Sequence, residues 1–276
     1  MITPSALWTV FVVSSSCLAV SGLIATLEYI VILPAFDKRG ALSWDILGTR
    51  YAPPKLTKLR HLWDTAMSIR GVRIILLLRI VFTLALLLGL VVRLETFCAY
   101  TLGGILLTGM LVTYRCGFGL DGADQMTNIL SAGLLVAAVP SAPVWRIAGF
   151  GFIAFQTCLS YITAGIAKAI SPVWRNGTAL YKIMNTGTYG HAWLATVLKR
   201  NRSLGYILCW TIIIFETAFP LSLLFPPKPM LVILATGCLF HVGTAVFMGL
   251  NAFLWSFLAA YPAIYFCNHF LRTLVT

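Results

Sequence analysis

Charge is scarce in this sequence, and acidic charge scarcest of all. Only 10% of the 276 residues are Asp, Glu, Lys or Arg, and just eight are acidic. A soluble globular chain carries roughly 25% charged residues. No stretch is long and polar enough to fold as a separate soluble domain, so residues 1–276 read as a single integral membrane domain. Metal-ligand spacing is missing too. The seven cysteines, Cys17, Cys98, Cys116, Cys158, Cys209, Cys238 and Cys267, are scattered, and most lie inside apolar runs. There they act as small hydrophobes. Their odd number and wide spacing argue against a disulfide scaffold and offer no metal site. The N-terminus lacks the basic start of a cleavable leader, and its apolar run continues to about Phe36. That is too long for a signal core, so it reads as a first span. No internal repeat or low-complexity segment appears.

Apolar sequence is what the chain has in abundance: 59% of residues are hydrophobic. Crossing a bilayer takes about 20 predominantly apolar residues. Eight spans are expected, at about 7–35, 73–92, 96–114, 124–143, 147–170, 204–225, 230–249 and 251–271. The expected fold is therefore all-α, a polytopic transmembrane helix bundle in the cell membrane with lipid as its surroundings. A net charge of +12 raises the question of nucleic acid. That partner is rejected, because Lys and Arg cluster in loops beside apolar segments, as membrane orientation requires. Loop 37–72 holds Lys38, Arg39, Arg50, Lys55, Lys58, Arg60 and Arg70; loop 171–203 holds Arg175, Lys182, Lys199, Arg200 and Arg202. With eight spans both loops fall on one side, and the positive-inside rule makes it the cytoplasm. In the second loop, apolar residues among polar ones over 177–199 suggest an interfacial helix pair broken at 185–190, against the alternative of an ordinary connection.

Ionisable residues within a span are costly and usually face the bundle interior. Here they are Glu28, Arg79, Lys168, Glu216 and His241. Glu216 and His241 flank the tight turn "FPPKP" (225–229) at similar depth, each about 17–20 Å from that face. A hydrogen bond between them is expected, either as structural glue or as a proton-handling or ligand-binding pair. Glu28 and Arg79 can pair, or Arg79 can snorkel. On the fifth span Thr157, Tyr161, Ala164 and Lys168 share one stripe, giving a small, polar face suited to the bundle interior. Lys168 comes near the end of its helix, so a snorkelling anchor is one reading. In a dry pocket a lysine can instead give up its proton and serve as a base. The loop "YRCGFGLDGADQMTNIL" (114–130) brings Arg115, Asp121, Asp124, Gln125 and Asn128 to the same membrane face as Lys168. An Asp there can simply cap a helix, but capping does not account for the whole cluster.

These residues carry a family resemblance. "YITAGIAKAISPVWRNGTAL" (161–180) resembles the lysine motif of the horizontally transferred transmembrane (HTTM) family, the membrane domain shared with vitamin K-dependent γ-carboxylase. "GLDGADQMTNIL" looks like the family's Asp-containing segment after the third span. "ETAFP" (216–220) and "FHVGTAVFMGLNAF" (240–253) look like its Glu-x-x-x-Pro and Phe-His motifs. The order agrees, and the landmarks span most of the chain from about residue 20. The resemblance implies a γ-carboxylase-like fold. It also implies that Lys168 is a base acting with a lipid-soluble, quinone-like reductant such as vitamin K, and that His241 holds the position of the family's later histidine. Asn128 stands near the place of a histidine in the carboxylase, and the carboxylase's large domain outside the membrane has no counterpart here. Both departures argue against glutamate carboxylation itself. Short bacterial members are associated with maturation of small secreted peptides. The carboxylase holds its lysine toward the lumen, whereas the charge bias here puts Lys168 toward the cytoplasm.

Two functions follow. In the first, the chain is a membrane enzyme or maturation factor for a small peptide. Lys168, Glu216 and His241 do the chemistry; Asp121, Asp124, Gln125, Asn128, Arg115, Tyr161, Trp174 and Arg175 line the substrate or cofactor pocket. In the second it is a non-catalytic membrane partner, an immunity, export or assembly subunit for a small peptide or protein.

Overall fold

A computed structural model describes residues 3–50, 57–117, 122–139 and 143–275. Among them there are helices and turns but no strand. The chain folds into α1 (Pro4–Val31), α2 (Trp44–Leu47), α3 (Thr57–Met67), α4 (Ile69–Val91), α5 (Glu95–Cys116), α6 (Gly122–Ala137) and α7 (Pro143–Ile170). After these come α8 (Pro172–Arg175), α9 (Ala179–Met184), α10 (Ala192–Arg200), α11 (Arg202–Ala218), α12 (Pro227–Met248) and α13 (Asn251–Val275). The all-α helical architecture expected from composition is present.

Among the described residues, six helical segments are long and apolar enough to cross a membrane: Pro4–Val31, Ile69–Val91, Glu95–Cys116, Pro143–Ile170, Arg202–Leu223 and Pro227–Met248. The chain is accordingly an integral membrane protein. The other two expected spans correspond to α6, only 16 residues long, and α13, which carries Asn268, His269 and Arg272. Neither qualifies on length and apolarity together.

The helices gather into two compact units, Phe11–Gly149 and Phe150–Thr276 with Met1–Val10. In the first unit α4, α5 and α6 form an antiparallel series. Buried hydroxyls satisfy themselves on their own helices, as with Thr83 Oγ1 on Arg79 O (2.7 Å) and Thr108 Oγ1 on Gly104 O (2.8 Å). Such back-bonding lets a polar side chain sit where no water reaches. Asn128 Nδ2 donates across to Thr113 Oγ1 at 3.1 Å, tying α6 to α5. Arg79 is 1% exposed and so is no snorkelling residue; Tyr29 and Asp124 lie within electrostatic reach of it.

In the second unit the sharp boundaries are chemical. Ser171 is extended and Pro172 follows at the first position of α8, so α7 ends there; proline cannot donate into the preceding turn. Asn201 Oδ1 accepts from Leu204 N at 3.0 Å and caps α11. The expected helix pair in the second loop is present as α9 and α10, broken between Asn185 and His191. Met184, Ala195 and Leu198 are buried together there against Leu204, Leu208 and Phe247.

Candidate functional site

The site is built where α7 meets α11. Gly165 sits at the crossing. A Cβ there would lie 2.6 Å from Thr217 Oγ1 and 2.7 Å from Thr217 N, so only glycine permits this approach. One turn on, Lys168 Nζ donates to both carboxylate oxygens of Glu216, at 2.9 Å to Oε1 and 2.6 Å to Oε2. The Glu216 side chain is 5% exposed and that of Lys168 21%. Trp174, just past the proline, places its ring 5.2 Å from Nζ. A cation on an aromatic face is attracted by the ring quadrupole. The amine is thus held by a carboxylate on one side and an indole on another.

Its depth differs from the expectation of a helix-end anchor. Glu216 lies about 21 Å along α11 from Arg202, at 1.5 Å per residue. The chain beyond Lys168 does not leave the bundle at that level. It runs on beside the earlier part of α11: Trp210 Nε1 donates to Arg175 O at 3.2 Å, and Gly177 closes against Tyr206. Lys168 is therefore a partly buried residue, with the chain of α8 running on from it toward the start of α11.

A second cluster shares α7. Tyr161 Oη lies 2.6 Å from His241 Nε2 and 2.8 Å from Tyr261 Oη. The three residues come from α7, α12 and α13 and are 3%, 1% and 8% exposed. Gly237 makes the room: a Cβ there would meet Tyr261 Oη at 2.2 Å. Aromatic rings surround the trio. Tyr161 stacks on Phe219 with centroids 3.7 Å apart, and His241 on Phe257 at 4.3 Å. His241 Nδ1 is buried without a hydrogen-bond partner. Buried polar atoms nearly always have one, so this nitrogen marks the place where a further polar group would be gained.

Several expectations change. The direct Glu216–His241 hydrogen bond is absent; Glu216 takes Lys168 and His241 takes Tyr161. Facing decides this, because helix rotation about its axis sets which neighbour a side chain meets. The acid beside Lys168 is Glu216 rather than one from the Asp-rich turn. Asp121 lies outside the described residues. Asp124 Oδ2 accepts from Tyr29 Oη at 2.8 Å in the other unit. Gln125 is exposed, and Asn128 is committed to Thr113. Arg115 is a buried clamp instead of a pocket residue. Its Nε donates to Met67 O (2.7 Å) and its Nη2 to Leu42 O (2.6 Å), under the rings of Phe36 and Trp44. The side chain of Arg175 is exposed, and its backbone serves Trp210. Glu216 and Trp174 meet Lys168, whereas Tyr161 and His241 meet each other in the second cluster. Tyr261 was missed. Its only signal is a tyrosine before a helix-interior proline, Pro262, which cannot donate to the Leu258 carbonyl.

Among the described residues no group of His, Cys, Asp and Glu is placed to hold a metal ion. No family model, no curated protein and no solved structure matches the chain.

Proposed function

We propose that this is an integral membrane enzyme or maturation factor of HTTM type, with eight spans in the cell membrane, that acts on a small peptide through the Lys168–Glu216 pair. The carrying observation is the two-oxygen contact of Lys168 Nζ on the buried carboxylate of Glu216, at 2.6 and 2.9 Å. The pair is neutral as a whole and holds one mobile proton. With that proton on nitrogen it is an ammonium carboxylate. Passed to Glu216, it leaves a free amine that can take a proton from a substrate. A general base must stand within hydrogen-bond reach of the proton it takes, and the Lys168 side chain is 21% exposed.

Neighbouring Ile166 and Ile170 are 48% and 71% exposed, so the open part of Lys168 borders an apolar surface. That favours a reactant delivered from the bilayer. The rings around Tyr161 and His241 stack closely on one another, with centroids 3.7 and 4.3 Å apart. The proton chemistry of the pair does not depend on the quinone-like reductant implied by the resemblance.

The non-catalytic reading keeps one observation in its favour: Lys168 and Glu216 satisfy each other, as a structural pin between α7 and α11 requires. Conservative replacement separates the two. Arginine keeps charge and fork but effectively cannot give up its proton. Peptides encoded beside the gene are produced with the wild-type chain, with Lys168→Arg and with no chain, and their masses are compared. A mass change that needs the wild type and vanishes with Lys168→Arg supports catalysis. Full modification by Lys168→Arg refutes it.

A further inference from the structure

The first unit carries a second feature that the Lys168 site does not use. Residues between α1 and α4, with the end of α5, enclose a cleft of about 1080 Å³. Its size matches small-molecule sites, which run about 300–1,000 Å³. One wall is aromatic. Tyr114 stands between Trp63, 5.1 Å away edge-on, and Trp44, 6.4 Å away. The lining also includes Ser68, Ile69 and Arg70, at the start of the 23-residue α4. A helix N-terminus favours anionic groups.

The charge of the lining decides what fits. Lys38, Arg60 and Arg70 line the cleft, and so do Asp37, Asp45 and Asp64. A lining balanced three to three does not suit a plain anion. Some of these charges are already engaged. Asp64 accepts from Trp44 Nε1 at 3.0 Å and lies 3.8 Å from Arg60. Asp37 Oδ1 accepts the backbone N–H of Lys38 at 2.8 Å. The Lys38, Arg70 and Asp45 side chains are exposed and make no hydrogen bond or ion pair among the described residues. The cleft therefore offers two free cations beside a helix N-terminus, one free carboxylate, and an aromatic wall. A ligand with both a phosphate and an ammonium would use all of these.

The cleft's position supplies the source. It lies where α1, α4 and α5 end, and each of these is long enough to cross a membrane. Trp and Tyr are enriched at that level, the headgroup layer. We propose that the cleft seats the headgroup of a zwitterionic, primary-ammonium phospholipid of the phosphatidylethanolamine class. Its phosphate meets Arg70, Lys38 and the first turn of α4. Its ammonium donates to Asp45 and lies against the aromatic wall. This site is independent of the Lys168 chemistry.

Native mass spectrometry tests it. The full chain in mild detergent is offered equal amounts of phosphatidylethanolamine, phosphatidylglycerol and phosphatidylcholine with matched acyl chains. Phosphatidylethanolamine is expected to be retained about fivefold over phosphatidylglycerol, roughly one charge's worth of headgroup attraction. Asp45→Asn with Arg70→Gln should abolish the preference while leaving the thermal midpoint in phosphatidylcholine unchanged, since both side chains are exposed. Lys199→Gln with Arg200→Gln, on α10, should leave the preference intact. Equal or better retention of phosphatidylglycerol by the wild-type chain overturns the proposal, whatever the variants do. Unchanged preference in the cleft variant overturns it as well. Displacement of the lipid by soluble glycerophosphoethanolamine at the same concentration would assign the cleft to a free solute and overturn the lipid assignment.

Discussion

Replacing Glu216 with glutamine removes the counter-charge of Lys168 with almost no change in volume. The consequence follows from burial. The Glu216 side chain is 5% exposed and that of Lys168 21%, so water cannot fully replace the lost carboxylate. Breaking a buried ion pair from one side costs about 3–5 kcal/mol, because the surviving charge is stranded. Lys168 keeps some exposure and the Trp174 face, so the lower end, about 3 kcal/mol, is expected. Lys168→Met strands the carboxylate instead, at a similar cost. Together the two substitutions strand no charge and leave only the glutamine amide to find a partner. A buried pair replaced by well-packed apolar groups is often close to neutral, and the remaining amide adds about 1–2 kcal/mol, so the double variant should lie within about 2 kcal/mol of wild type. The cycle then gives a coupling of roughly 3 kcal/mol or more, far outside the few tenths seen for independent sites. Reversible unfolding in mixed detergent micelles measures all four chains. Single variants that each lose under about 1 kcal/mol, with no coupling, would mean that Lys168 is hydrated on its own, and the partly buried placement argued above would be wrong.

Gly165→Ala should destabilise by about 1–3 kcal/mol through overpacking. Thr217→Ala should not rescue it, because the added Cβ also meets the Thr217 backbone N at 2.7 Å; rescue in the same unfolding assay would refute the backbone contact. Tyr161→Phe should cost about 1–3 kcal/mol, since it leaves His241 Nε2 and Tyr261 Oη without their shared partner. Adding Tyr261→Phe should cost less than the sum of the single changes, and simple additivity would dissolve the network. Lys168→Arg should insert and melt close to wild type yet lose peptide modification, as read by peptide mass. Orientation is open to labelling. With the native cysteines replaced, Lys55→Cys and Arg200→Cys should resist a membrane-impermeant thiol reagent in intact cells; labelling of either would put the basic loops outside.

How much of this was legible in sequence depends on which interactions are local. Scarce charge and long apolar runs determined a helical membrane protein, since in hydrocarbon a backbone must satisfy itself and the helix does so within one segment. The end of α7 at Pro172, the break between α9 and α10, and the polar stripe of Thr157, Tyr161 and Lys168 were readable for the same reason. Each follows from residues within a few turns of one another. Rotation and distance between helices were not. Glu216 and His241 were expected to meet, yet one turned to Lys168 and the other to Tyr161. Gly165 and Gly237 decided how closely α7, α11, α12 and α13 approach, and so which polar heads touch. Arg115 looked like part of a polar pocket and became a clamp on Met67 and Leu42, 48 and 73 residues away. A partner that distant leaves no periodicity in sequence; packing of the assembled helices selects it, because each buried donor must find whichever acceptor the finished fold has left within reach.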